Sequence, residues 1–248
     1  MLFRSGEDVL DVPAKGIFGA NRGFRTRDMR SNYQLFRWNR QLDNGDQFHA
    51  QIYHNRLSIE EPIELGLVSA AFGVDPSFVP LAFGKPDEFI ISGIQDSFSE
   101  RYDMELSQNF ALTGGNRAVL GAAVRLDRAQ SQWLLNRPDA KESWSYRQFG
   151  SIEYALQPSL LANVGWMFEY DDIVGMTVSP RAALNLQVSD SSNIRVSVSR
   201  GHRRPSVVEA FEDVKIRFAD GTLIQQDVLA DPDITEAEVT ELELGLVS

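Results

Sequence analysis

Residues Ser179–Ser206, SPRAALNLQVSDSSNIRVSVSRGHRRPS, decide the fold. Ala182, Leu184, Leu186 and Val188 fall on one face of an extended segment, with Ala183, Asn185 and Gln187 on the other. After a polar turn, Ile194, Val196 and Val198 alternate with Arg195, Ser197 and Ser199. Successive side chains of a strand point to opposite faces, so a period of 2 gives this hairpin one apolar face and one polar face. Two settings satisfy that pattern. In a soluble sandwich the apolar face lies in a core. In a membrane barrel it faces lipid, and the polar face lines a lumen.

The same pattern recurs along the chain. Tyr33–Leu42 and Gln47–Asn55 flank Asn44-Gly45, a dipeptide suited to the positive φ of a hairpin turn. Arg101–Leu112 and Arg117–Asp127 flank Gly114-Gly115, and Trp144–Leu156 and Leu161–Asp171 flank Gln157-Pro158-Ser159. Val239–Val247 adds a last strand, with Leu242, Leu244 and Leu246 on one face. Met1–Arg30 reads as a loop after at most one short strand. Long connections are expected at Arg56–Phe98 and Gly201–Glu236, and a medium one at Arg128–Glu142.

This reading gives about nine or ten strands of about 9–13 residues, above the soluble mode of about 5–6 and near the length that crosses a tilted bilayer. Short turns at one end and longer connections at the other match an outer-membrane barrel. Arg37, Arg101, Asp103, Glu105, Arg125, Asp127, Arg147, Glu153, Glu169 and Arg195 all lie on the face opposite the apolar one. Trp38, Tyr102, Phe110, Trp144, Tyr146, Phe168 and Tyr170 sit near strand ends, where a membrane barrel carries aromatic girdles. The expected fold is therefore an all-β, antiparallel up-and-down transmembrane barrel, here an incomplete one.

Composition narrows the function classes. A net charge of −11 makes nucleic acid a poor partner. The acids crowd the connections, at Glu60, Glu61, Glu64, Asp75, Asp87 and Glu88 and again from Glu209 to Asp233, as solvated loops do. Cysteine is absent, which removes disulfides, thiol chemistry and cysteine-bound zinc. No run of about 18 apolar residues forms a helical span, a fact that says nothing about strands. The opening residues lack the pattern of a secretory signal, so the reading is either a cytoplasmic protein or an internal piece of an exported one.

Three passages carry a family resemblance. The first is NYQLFRWNR at Asn32–Arg40, with the Asn44-Gly45 turn and QIYHN at Gln51–Asn55. The second is RYDMEL at Arg101–Leu106 with GAAVR at Gly121–Arg125. The third is Ser199–Ser206 with Glu209, then Asp231-Pro232-Asp233-Ile234 ahead of ELELG at Glu241–Gly245. Over roughly Asn32–Val247 the order of segments resembles the barrel of TonB-dependent outer-membrane receptors. Such receptors have barrels of about 22 strands around a plug and take up scarce solutes with energy from the TonB complex.

The resemblance implies that residues 1–248 are one partial barrel domain, with the plug and the C-terminal strands expected outside it. It also implies no enzyme activity and no cofactor. The implied location is the outer membrane of a Gram-negative bacterium. The implied partners are membrane lipid and lipopolysaccharide, the TonB complex through the plug, and a small-molecule or metal-chelate ligand such as an iron–siderophore. The alternative is a small self-contained outer-membrane porin or adhesin without TonB coupling, and a further one is a soluble β-module.

Site candidates are few. His202, Arg203, Arg204 and Trp133 are the expected ligand contacts on the loop and lumen side. Arg203 and Arg204 fit either an anionic ligand or lipopolysaccharide phosphate, or a salt bridge at the strand–loop corner. Arg200, Gly201, Pro205, Ser206 and Glu209 are the corner residues that mark the family. Haem-uptake receptors have a similar corner with a histidine downstream, and no histidine lies between Pro205 and Asp231 here. His49 and His54 have opposite parity on one strand, so they do not converge on a metal. Ser197 and Ser199 have no histidine placed beside them by sequence, so no catalytic residue is assigned.

Overall fold

The computed structural model describes residues 2–15, 21–63, 66–87 and 93–247. Its strands are β1 (Leu2–Lys15), β2 (Asn21–Gln41), β3 (Gln47–Ile63), β4 (Gly93–Ala111), β5 (Arg117–Ser131), β6 (Arg137–Gln157), β7 (Leu160–Asp171), β8 (Gly175–Gln187), β9 (Asn193–Arg203), β10 (Asp213–Arg217), β11 (Leu223–Leu229) and β12 (Ala237–Val247). Four short helices, α1 (Val68–Phe72), α2 (Phe78–Phe83), α3 (Gln132–Leu135) and α4 (Val207–Phe211), lie in the connections. Ten strands form one antiparallel meander in the order β1 to β9 followed by β12, while β10 and β11 make a separate hairpin. Among the described residues β1 pairs only with β2, and β12 only with β9. The sheet is open, which removes the reading of a small barrel closed by these strands alone.

Register turns the sequence alternation into two continuous surfaces. One row runs Phe36–Ile52–Met104–Val124–Tyr146–Tyr170–Met176 across seven strands. A second runs Tyr154–Ala162–Leu184–Val196–Leu244. These side chains are largely uncovered, Leu244 being 77% exposed. The opposite face carries Arg37–Gln51–Glu105–Ala123–Arg147–Glu169–Thr177. A soluble protein does not leave an apolar surface of that extent in water, whereas a membrane wall requires it. We call the apolar face outward and the charged face inward.

Aromatic residues bound the outward belt. Trp38 meets Phe48 edge-on at 5.5 Å beside the 42–46 turn. At the other end Trp144 stacks on Tyr146 at 6.4 Å, Tyr146 lies 6.5 Å from Tyr170, and His54 stacks on Tyr102 at 4.4 Å. From Tyr146 to Leu156 is about 33 Å along the strand at about 3.3 Å per residue, or about 25 Å of height at a tilt of about 40°. That height matches the apolar band of an outer-membrane barrel. The next outward row, Asn32–Arg56–Glu100–Arg128–Glu142, is polar, so the belt ends there.

Several sequence expectations are corrected. Residues 2–15 and 21–30 are strand rather than loop, because their backbone pairs from Leu2↔Leu35 to Lys15↔Asn21 although their own alternation is weak. Gly16, Gly19, Glu64 and Glu88 lie outside the described residues. The strands reach 21 residues in β2 and β6, beyond the expected length, since they continue past the upper girdle as a polar two-sided sheet without apolar alternation. The loop expected at Arg128–Glu142 is therefore mostly strand around α3. The alternation of short and long connections survives at 64–92 and 204–236 only, because 132–136 and 172–174 are tight.

Two glycines let aromatic rings lie flat on the sheet. A Cβ on Gly150 would sit 2.5 Å from the Trp166 indole, and one on Gly121 would sit 2.3 Å from the Phe149 ring. Trp166 also donates from Nε1 to the Gln148 side chain at 3.2 Å. Gly150→Ala is expected to displace the indole and cost about 1–3 kcal/mol by overpacking. Tryptophan emission together with a urea titration of the folded protein checks this.

Candidate functional site

The chain leaves β9 at Arg203 and turns onto the inward face, where Arg204 becomes the hub of an ion group. Its guanidinium donates to Asp127 of β5 and to Asp171 of β7, and lies 3.6 Å from Glu169 of β7. It also donates to the Ser143 hydroxyl of β6 at 3.4 Å. Arg204 is 15% exposed and Asp171 1% exposed. One side chain thus ties the exit of β9 to β5, β6 and β7. The neighbours extend the network: Arg101 bonds Asp127 at 2.5 Å, and Arg125 and Arg147 share Asp103 at 2.7 and 2.8 Å. Four arginines face four carboxylates, so the group is balanced in charge.

The corner after Arg204 is built by local chemistry. Buried Pro205 leads into α4, and Ser206 caps it. The Ser206 hydroxyl accepts from the Glu209 N–H at 3.2 Å, and the Glu209 carboxylate accepts from the Ser206 N–H at 2.7 Å. This reciprocal pair satisfies two donors that a helix start leaves open. Arg203 donates to the same carboxylate at 3.2 Å. Hydrogen bonds from Arg203 first, then from the Ser206 N–H and hydroxyl, hold the Glu209 carboxyl down at about 2. A depressed carboxylate stabilises above its unfolded pKa and loses that contribution as pH falls toward its folded value. Protection of the α4 amides from hydrogen exchange is therefore expected to decline between the usual glutamate range and about pH 2. Glu209→Gln should abolish that pH dependence.

The two long connections meet above this corner. Val68, Ala71 and Val79 from residues 66–87 form one buried cluster with Ile216 and Phe218 from residues 204–236. Phe83 meets Phe218 edge-on at 5.5 Å, and the Lys85 ammonium lies over the Phe218 ring and pairs with Asp220. That ammonium holds the Asp220 carboxyl well below the usual carboxylate range. Below these two connections, which together we call the cap, Val207 of α4 packs on Ala129 of β5 and Leu135 of α3. A cavity of about 500 Å³ lies between wall and corner, lined by wall residues such as Asn55, Arg101, Arg147 and Glu169 and by Arg203–Val208.

The expected site residues are distributed through this frame. His202 is nearly buried, 3.2 Å from the Ser179 hydroxyl and 3.7 Å from Glu238. Arg203 and Arg204 line the cavity, each in an ion pair with a named carboxylate. Trp133 stands apart from them and packs against the cap cluster. Of the corner markers, Arg200 pairs with Glu238 across β9 and β12, and a Cβ on Gly201 would meet open space. The sequence puts Asp103 and Asp127 on the inward face but does not assign them, Ser143 or Asp171 to the site. Their signal was inward parity at the same strand ends, read together with the chain exit at Arg204. His49 bonds Asn39, whereas His54 bonds Gln34 and Glu100, so the two histidines do not converge.

A protein-family model described as TonB dependent receptor-like, beta-barrel, matches residues 4–247. A search of curated protein sequences gives no match. Among solved structures, a mutant of the ferric enterobactin receptor PfeA of Pseudomonas aeruginosa aligns with a TM-score of 0.70 at 13% identity, over 98% of this chain and 37% of that one. The siderophore receptor PirA of Acinetobacter baumannii aligns at 0.60 and 12% identity, over 92% of this chain and 33% of that one. PirA of Pseudomonas aeruginosa aligns at 0.57 and 12% identity, over 98% and 46%. At such identities the structures speak for the fold, and the chain spans between a third and just under half the length of each. The match over nearly the whole chain, the outward apolar belt and the inward charged face lead to one assignment: the chain belongs to the TonB-dependent receptor-like β-barrel family, a family of receptors rather than enzymes.

Proposed function

We infer that this chain forms part of the wall of a Gram-negative outer-membrane receptor that takes up a metal chelate of the siderophore class with energy from the TonB complex. Family membership over residues 4–247 is the observation that carries this reading. The structural neighbours, ferric enterobactin and siderophore receptors, support the solute class. The open edges at β1 and β12 fit a wall continued by further strands, with a plug inside. The outward belt meets membrane lipid, and the polar row above it meets lipopolysaccharide. His202, Arg203 and Arg204, which line the cavity, and Trp133 above it are the side chains proposed to meet the solute on the loop and lumen side.

The test is uptake under iron limitation in a strain lacking its other receptors of this class. The full gene should restore accumulation of a radiolabelled ferric siderophore from a panel, and deletion of TonB should abolish it. Restoration that persists without TonB, or no restoration by any chelate in the panel, would overturn the reading.

A further inference from the structure

The field at a cleft sets which ions collect there, so an uptake site selects its solute by charge as well as by shape. Six arginines line the cavity: Arg101, Arg125, Arg128, Arg147, Arg203 and Arg204. Each already faces a carboxylate. Arg101 meets Asp127, Arg125 and Arg147 share Asp103, and Arg128 pairs with both Glu100 and Glu142. Arg203 holds Glu209, and Arg204 holds Asp171. Among the described residues, the cavity therefore has no guanidinium left over for an anion. An anionic solute gains one only by displacing a carboxylate, which strands that charge. The cap above adds charge of the same sign. Residues 66–87 and 204–236 hold ten acidic residues and four basic ones. Of the ten, only Glu209, Asp213 and Asp220 are in ion pairs among the described residues. The other seven, Asp227, Asp233 and Glu236 among them, are carboxylates without a cation. Arg217 is the one cap cation outside an ion pair among the described residues, and it donates to the Gly221 carbonyl at 3.0 Å. The occupied arginines of the cavity and the free carboxylates of the cap are separate observations, and they agree in sign.

We propose that the solute is a ferric chelate without net negative charge, of the trihydroxamate kind, and that the free carboxylates of the cap exclude polyanionic tris-catecholate chelates. This rests on the uptake reading above and narrows its solute. Three hydroxamates balance the charge of ferric iron, so the complex is neutral, and a pendant ammonium makes it cationic. Three catecholates leave the complex with three negative charges. The ammonium and amide N–H groups of a trihydroxamate find carboxylates that have no cation of their own, whereas a tris-catecholate finds no free cation in the cavity and repulsion on the way to it.

The test uses the full gene in a strain lacking its other receptors of this class. One linear ferric trihydroxamate is supplied in three forms that differ only in charge: with its terminal ammonium free, acetylated to neutrality, or succinylated to one negative charge. A ferric tris-catecholate is the fourth probe. At low ionic strength the ammonium and acetyl forms should accumulate at least about tenfold faster than the succinyl form, and the tris-catecholate should not accumulate. Added salt should narrow the gap by screening. Asp227→Asn, Asp233→Asn and Glu236→Gln in one chain remove three charges from the cap and should narrow the gap about threefold or more, with folding checked by heat-modifiable migration. Uptake of the succinyl form or of the tris-catecholate at or above the rate of the other two forms would overturn the charge assignment and leave the uptake reading standing. A gap that the triple variant leaves unchanged would overturn it as well, because the cap carboxylates would not be its cause. Uptake of no chelate in the wider panel would instead overturn the uptake reading, and this narrowing with it.

Discussion

Arg204→Ala is expected to destabilise the folded protein by about 3–5 kcal/mol, the largest single loss among polar substitutions, because it leaves the buried Asp171 carboxylate without its cation. Asp171 is 1% exposed and relies on that guanidinium at the point where the chain crosses the inward face, whereas Asp127 keeps Arg101. A buried ion group of this kind adds little net stability over an apolar packing of the same volume, and its removal by halves is what costs. Two controls follow from that. Arg203→Ala removes an exposed pair with Glu209 and should cost no more than about 1 kcal/mol. Asp171→Asn in the Arg204→Ala background should recover part of the loss, since it removes one stranded charge. Urea titration of the single and double variants in the same lipid measures all three.

Leu184→Arg, between the midplane and the lower edge of the belt, is expected to cost about 1–3 kcal/mol in a bilayer, and Asn185→Arg, one residue away, close to nothing. The two positions share a strand and differ only in face. Leu184 lies in the outward row between Ala162 and Val196, while Asn185 is paired with Arg195 on the inward face. In water an arginine at either position would be solvated, so the difference between the two variants reports lipid on one face. Folding yields of both variants into vesicles, read by heat-modifiable migration, supply the comparison. Equal yields would place solvent on both faces.

The period of 2 was enough to locate the hairpins and their faces from Tyr33 onward, because each residue's parity has a large energetic consequence when one side is lipid. It failed where both faces are wet. Residues 93–100 and 137–143 continue as strand above the girdle, held by ladder hydrogen bonds to neighbours rather than by their own alternation. Composition there resembles a loop, so the sequence alone points to one. The cap was hidden for another reason. Val79 and Ile216 are separated by a long stretch of chain, and each stands in an acidic, proline- or glycine-bearing segment that reads as solvated on its own. Their packing is a property of the pair.

The corner was legible in part. Arg203, Arg204, Ser206 and Glu209 stood out as a motif, and Ser206 with Glu209 three residues later already spells a capping box. What could not be read was which of the two arginines turns inward. Arg203 stays with Glu209 at the corner, and Arg204 crosses to strands two to four places back in the meander.

The central claim is that one face of this meander meets lipid and the other a watery lumen. Single cysteines from Ala182 to Gln187, in a chain that has none of its own, test it most directly. Each is labelled with an environment-sensitive fluorophore in vesicles and exposed to quenchers confined either to lipid tails or to water. The account predicts strict alternation, with positions 182, 184 and 186 quenched from lipid and 183, 185 and 187 from water. Quenching from water at all six positions, or alternation of the opposite phase, would contradict it.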